Sequence, residues 1–150
     1  MPLKNVLNTL RIIHGALTMG LIVFTLFVFY RANSFIARMD NEDFFTYLVP
    51  LGGAIGYFLG KWLFAKQVSV IAKNEPLNTK LARYQSASLI KFALLEAPAF
   101  LALFAYYQNG NALHLTIALF LITYLVFQHP TLKRVIGHLD LAKDEIQQLQ

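Results

Sequence analysis

The sequence predicts an all-α, polytopic membrane protein with four transmembrane helices in an antiparallel bundle. Three observations predict this class. The chain of 150 residues is 57% apolar and 14% charged, with a mean hydropathy of +0.51, whereas soluble domains of this size are less apolar. The apolar residues gather in four long runs, and a helix of about 20 apolar residues crosses a bilayer. The Lys and Arg residues concentrate on one side of those runs.

The first run, residues 12–30, is too long for the apolar core of a signal peptide and lacks a small-residue cleavage site. It therefore predicts an uncleaved first span, in which Ala16 and Gly20 offer a small face for close helix contact.

A cluster of carboxylates precedes the second run. Acidic groups near the start of a helix favour the positive end of its dipole, so we interpret this cluster as helix capping rather than a cation site. The cluster comprises Asp40, Glu42 and Asp43.

The second run, residues 44–64, contains Gly52, Gly56 and Gly60 at intervals of four. Glycines at this spacing lie along one face of a helix and let another backbone approach closely. The face predicts helix packing, and a second copy of the chain or another membrane protein is a candidate partner for it.

The third run, residues 88–107, carries Glu96 about 12 Å from its start, since an α-helix rises about 1.5 Å per residue. That depth is close to the middle of a bilayer, where a carboxylate costs at least about 2.5–3.5 kcal/mol. Pro98 should loosen the backbone hydrogen bonds beside it, and Ala93 and Ala97 give it small neighbours.

Three interpretations of Glu96 are open: a proton or cation site, a neutral acid that hydrogen-bonds across the bundle, or an ion pair. Burial would raise the pKa of the neutral acid. Lys91 is five positions away and therefore lies on another part of the helix surface, so it is a neighbour rather than an i,i+4 partner. His14, from the first span, or a tyrosine from another helix is a candidate partner for Glu96.

The fourth run, residues 112–127, completes a transmembrane domain predicted over residues 1–130 and built from two helical hairpins. After Pro130 the apolar residues recur at alternating intervals of three and four, which predicts an amphipathic cytoplasmic helix over residues 131–150. This helix either rests on the inner leaflet or under the bundle, or pairs with another copy. The recurring residues are Leu132, Val135, Leu139, Ala142, Ile146 and Leu149.

The charge distribution predicts that both termini are cytoplasmic and that the protein lies in the cell inner (cytoplasmic) membrane. On this topology Arg31 and Arg38 are external. The remaining basic residues are internal: Lys4, Arg11, Lys61, Lys66, Lys73, Lys80, Arg83, Lys91, Lys133, Arg134 and Lys143.

Motifs of catalysis or cofactor binding are missing from the sequence. It has no cysteine, no nucleophile elbow, no phosphate loop and no dinucleotide fingerprint. Its histidines lack metal-site spacing. We therefore predict a protein that is not an enzyme and that needs no cofactor or metal. The basic residues orient it in the lipid bilayer, and we predict no nucleic-acid partner.

The central hairpin resembles the proton-carrying c subunit of rotary ATP synthases. The resemblance rests on Gly52-Gly-Ala-Ile-Gly-Tyr-Phe-Leu-Gly60, Ala72-Lys-Asn-Glu-Pro76, Lys80-Leu-Ala-Arg83 and Ala93-Leu-Leu-Glu-Ala-Pro-Ala-Phe100. In that family a glycine-rich helix, a polar cytoplasmic loop and a helix with a midmembrane carboxylate follow one another. The resemblance implies that Glu96 is the protonatable carboxylate. The whole chain also looks like a small four-helix bacterial membrane protein, and small multidrug transporters likewise have four helices and an essential glutamate, in their first helix.

Two functions from different classes follow. One is a proton- or cation-linked membrane protein that acts through Glu96. The other is a non-catalytic structural, assembly or regulatory protein that acts through its helix faces and its C-terminal tail.

Overall fold

The computed structural model describes residues 3–147, with side chains from Asn5 onward, and this part of the chain is helical with no strand. The all-α class predicted from hydropathy is therefore confirmed. Four long helices correspond to the four apolar runs, and α4 has the bounds predicted for the last run. The helices are α1 Leu3–Ala32, α2 Phe45–Ser69, α3 Leu77–Asn109, α4 Ala112–Phe127, α5 Leu132–His138 and α6 Lys143–Gln147.

The helices have the length and hydropathy of membrane spans. Three of them, α1, α2 and α3, are each long and apolar enough to cross a membrane. The fourth candidate is α4 together with α5, two helices that are bent by 86° at the break between them. The described residues therefore contain three candidate spans, or four if the α4–α5 pair forms one span. Helices of this length and hydropathy are typical of a membrane protein.

The centre of the molecule is α3, which packs against α1, α2 and α4. Its Ala99, Ala102 and Leu103 are fully buried. The short turns before and after α3 make α2 and α4 antiparallel to it. Helix α1 runs parallel to α3, because rings pair in step along both helices: Phe24 lies 5.5 Å from Phe100, and Phe27 lies 6.2 Å from Tyr107.

This arrangement differs from the predicted pair of hairpins, because α1 packs mainly on α3 rather than on α2. The reason is the connection over residues 33–44, which runs across the ends of α3 and α4. Its Ser34 carbonyl accepts a hydrogen bond from the Tyr106 hydroxyl at 2.8 Å, and its Arg38 carbonyl accepts one from Asn111 Nδ2 at 2.7 Å. The connection thus leads from α1, past the end of α3, to α2, which packs on another side of α3.

The three glycines at intervals of four on α2 lie against α3. A Cβ atom built on Gly52 would lie 3.6 Å from Leu101, and one built on Gly60 would lie 3.6 Å from the Cβ of Leu94. At Gly56 the approach is closest, since a Cβ atom there would overlap the Leu94 carbonyl.

The small residues predicted to form contact faces on α1 and beside Glu96 on α3 lie on the outside of the bundle. Ala16 and Gly20 of α1 are exposed, and a Cβ atom built on Gly20 would meet nothing within 4 Å. Ala93 and Ala97 of α3 are exposed as well. Residue size alone does not determine the packed face, because a small residue fits equally well at a helix contact and against lipid.

The tail differs from the continuous helix predicted over residues 131–150. Helix α5 ends at His138, Leu139 has an extended backbone, and α6 begins at Lys143. Two ion pairs join the tail to the α2–α3 loop and to the start of α3: Lys73 with Asp140, and Lys80 with Glu145. The first part of the predicted apolar seam packs into the core, where Val135 and Leu139 are buried. Leu149, the last residue of that seam, lies outside the described residues.

Candidate functional site

Glu96 lies at the edge of the outward face of α3. Its helix neighbours Ala93 and Phe100 are exposed, whereas Phe92 and Ala99, on the other side of it, are buried. Glu96 as a whole residue is half-buried. Glu96 is therefore placed where the bundle meets its surroundings and not at the helix–helix contacts of the interior.

Within the described part of the chain, the Glu96 carboxylate has no hydrogen bond and no ion pair. No described side chain of α1, α2 or α4 donates a hydrogen bond to this carboxylate. A carboxylate in an apolar region without a donor is costly while it is ionised. The carboxyl group is therefore more stable as the neutral acid, or when a donor or a cation from outside the described residues binds it.

The His14 side chain bonds to α4 and not to Glu96. Its ring is buried, and its Nε2 donates a hydrogen bond to the Leu125 carbonyl of α4 at 2.7 Å. The ring also lies 5.0 Å from Phe92, edge to face. His14 thus links α1 to the end of α4, and no contact of its ring joins it to Glu96 as an ion pair.

Lys91 turns to the opposite side of α3 from Glu96. Its Nζ donates to Gln128 Oε1 at 2.6 Å and lies 4.6 Å from the centre of the Phe64 ring. This position agrees with the angular separation expected for residues five apart on a helix. Lys91 and Glu96 are therefore near each other in sequence but serve different faces of α3.

Pro98 is buried against α2. It has no N–H group, so the Leu94 carbonyl, four residues earlier, loses its usual helical donor. That same carbonyl points at Gly56. The freed acceptor is thus covered by the glycine backbone of α2 and is not turned toward Glu96.

A polar cluster that the sequence analysis did not identify lies where the connection over residues 33–44 meets α3 and α4. Asp43 accepts hydrogen bonds from Asn109 Nδ2 and from the Phe45 N–H, and its Oδ2 lies 3.4 Å from Nε2 of the fully buried His114. Among the three carboxylates interpreted as caps, Asp43 therefore also joins α2 to α3 and α4.

A second missed feature is a buried ion pair. Lys80, which is 2% exposed, donates to both carboxylate oxygens of Glu145 at 2.9 and 2.8 Å. The two residues are 65 positions apart, so no local spacing predicts their contact. The position of Lys80 among the apolar residues of one face of α3 was the available signal.

Among residues 5–147, Glu96 has no other titratable group as a hydrogen-bond or ion-pair partner. Such a carboxyl can gain or lose a proton, or accept a donor from another molecule. No family model, curated protein or solved structure matches the chain.

Proposed function

We propose that the protein is a small integral membrane protein that binds and releases a proton or cation at Glu96. The observation that carries this proposal is the unpartnered Glu96 carboxylate on an apolar, outward-facing part of α3. A carboxyl that served as an interhelical bond would have a donor on a neighbouring helix, and none of the described side chains supplies one.

The outward position also supports an assembly. Ala93 and Ala97, beside Glu96, are exposed and small, so another helix could approach α3 closely there. We propose that a second copy of the chain or a membrane-protein partner covers Glu96 and controls access to it. The resemblance of the α2–α3 hairpin to the proton-carrying c subunit implies the same role for this residue.

The proposed topology places the N-terminus, the α2–α3 loop and the tail in the cytoplasm of a cell with an inner membrane. The excess of Lys and Arg on those segments supports it. The proposed domain is a four-helix bundle in which α4 is the fourth span.

Carbodiimide labelling tests the role of Glu96. The reagent attacks protonated carboxyls in apolar surroundings, so in native membranes it should modify Glu96 in preference to the exposed Glu42. Labelling should fall as the pH rises, and Glu96→Gln should remove it without changing the fold. In proteoliposomes, the same variant should abolish proton or cation movement.

Glu42→Gln is the matched control, because it removes a carboxylate from the exposed connection and should leave labelling and ion movement unchanged. If Glu96 stays unlabelled at every pH and Glu96→Gln moves ions as the wild type does, the proposal is wrong.

The second candidate is a non-catalytic structural, assembly or regulatory protein. The exposed small face of Ala16 and Gly20 favours it, because no helix of the described chain covers those residues. This function predicts that a bulky residue at Gly20 breaks a complex in mild detergent, while Glu96→Gln leaves that complex intact.

A further inference from the structure

A pocket of about 720 Å³ opens where α2 ends and α3 begins. Helices α2, α3, α4 and α5 all contribute to its wall. Four lysines line it, and Asp140 is the carboxylate among its lining residues. The lysines are Lys61, Lys73, Lys80 and Lys91.

Two of these lysines are neutralised by carboxylates and two are not. Lys73 pairs with Asp140, and Lys80 pairs with Glu145. Within the described chain, neither Lys61 nor Lys91 has a carboxylate partner. The ammonium of Lys61 lies 5.3 Å from the centre of the Tyr57 ring, and that of Lys91 lies over the Phe64 ring. The pocket therefore contains two ammonium groups whose charge no side chain balances.

The electrostatics of the neighbouring tail agree with an excess of positive charge. Burial, and then the positive charges of Lys91 and Arg134, lower the pKa of His138 below its ordinary value of 6.5. His138 also lines the pocket. A bound anion would offset these repulsions, because opposite charges attract strongly where water is partly excluded.

The side chains next to the pocket are of the kind found at lipid head groups. Trp62 follows Lys61, is 54% exposed and stacks with the ammonium of Lys66 at 4.8 Å. Exposed Trp and Lys side chains together are typical of the membrane–water interface. Apolar side chains, including Val68, Ile71 and Leu139, complete the wall, so the pocket suits an anion that carries an apolar remainder.

We infer that this pocket binds a phosphate ester, with Lys61 and Lys91 as the cations that contact the phosphate. Basic pockets between membrane helices on the cytoplasmic side suit anionic head groups, and the apolar wall with the exposed Trp62 beside it favours a phospholipid over a soluble ester. The inference rests on the charges of the pocket and is independent of the role of Glu96.

The test uses the full chain in phosphatidylcholine nanodiscs. Phosphatidylglycerol is added in one arm, and free glycerol 3-phosphate in the other. Lipid or ester adducts are counted by native mass spectrometry. Lys61→Gln and Lys91→Gln should each weaken phosphatidylglycerol binding about tenfold or more, because each removes a charged hydrogen-bond donor from the phosphate.

Lys66→Gln is the matched control, because Lys66 is a lysine of the same helix, five residues from Lys61, but lies outside the pocket lining. This variant should bind phosphatidylglycerol as the wild type does. A different outcome is that glycerol 3-phosphate is the ester that binds in phosphatidylcholine nanodiscs, with binding lost in the two pocket variants. That result would assign the pocket to a soluble phosphate ester, and Lys61 and Lys91 would still be the residues that bind the phosphate. Two results would overturn the inference: no preference for either ester, or equal weakening by all three substitutions.

Discussion

Gly56 of α2 lies directly against Pro98 of α3: a Cβ atom built on Gly56 would come within 2.7 Å of Pro98 Cγ. The Leu94 carbonyl, which Pro98 deprives of its helical donor, is the other atom that such a Cβ would meet. The two helix-weakening residues thus meet each other. Glycine provides the space that the proline ring and the freed carbonyl occupy, and this contact fixes how closely α2 and α3 approach.

We predict that Gly56→Ala lowers the free energy of unfolding by about 1–3 kcal/mol, because the added methyl group forces α2 away from α3. Thermal unfolding in detergent measures the effect. Gly20→Ala is the matched control; its methyl group meets open space, so it should be neutral or slightly stabilising. Equal melting temperatures for the two variants would contradict the close contact at Gly56.

Tyr106→Phe should cost about 1–3 kcal/mol. The Tyr106 ring is fully buried, and its hydroxyl donates to the Ser34 carbonyl and accepts from the Ser34 N–H at 3.3 Å. The substitution leaves those backbone groups without their partner. Tyr107→Phe is the control, since Tyr107 is 40% exposed and its hydroxyl makes no hydrogen bond within the described chain. A difference of less than a few tenths of a kcal/mol between the two variants would count against this anchor.

The helices could be predicted from the sequence because hydropathy is a local property, and so could the isolation of Glu96 in an apolar run. The neighbours of each helix could not. Lys80 meets Glu145 and Asp43 meets His114 only because α3 is central and the chain folds over its two ends. Gly56 and Gly20 likewise have similar apolar neighbours in sequence, yet one is buried against a backbone and the other faces outward. The spacing of residues along a helix predicts which of them share a face, but the tertiary structure determines which element, if any, packs on that face.

Docking of the tail should depend on Glu145. Hydrogen bonds from Lys80 and from the Ala142 N–H lower the pKa of Glu145 below its ordinary value of 4.5. A carboxyl with a lower pKa in the folded state stabilises that state while it is ionised. The contribution is therefore complete above about pH 4.5 and is lost as the pH falls through the folded-state pKa.

Hydrogen–deuterium exchange over residues 141–147 measures this docking. Glu145→Gln should lower the protection factors of these amides at neutral pH to the values that the wild type shows in acid, each corrected for the intrinsic exchange rate at its pH. Asp140→Asn should change little, because the Lys73–Asp140 pair is 80% and 68% exposed and exposed pairs contribute about 0–1 kcal/mol. Similar exchange in both variants would show that the buried pair does not hold the tail.

Asp43→Ala should destabilise the contact between α2 and the α3–α4 turn by about 2–3 kcal/mol. It removes the acceptor of Asn109 and leaves the buried His114 without that neighbour. Glu42→Ala removes an exposed carboxylate one position away and should be close to neutral. Unfolding in detergent measures both, and a neutral Asp43→Ala would show that the cluster only caps α2.

The topology can be tested with cysteines, because the chain has none of its own. Asn41→Cys and Asn74→Cys introduce thiols at exposed positions before and after α2. On the proposed topology, a membrane-impermeant maleimide applied to intact cells should label the first variant and not the second. The reverse pattern would invert the orientation.

The central position of α3 has a consequence for biosynthesis. Helices α1 and α2 leave the ribosome first, yet the surface that both pack on belongs to α3, and α1 makes its main contacts there. The two early helices therefore enter the bilayer as separate segments, each surrounded by lipid or by the insertion machinery. Emergence of α3 is the step that converts inserted helices into a folded protein, and the residues that speed or delay it determine how long the glycine face of α2 stays open to other proteins.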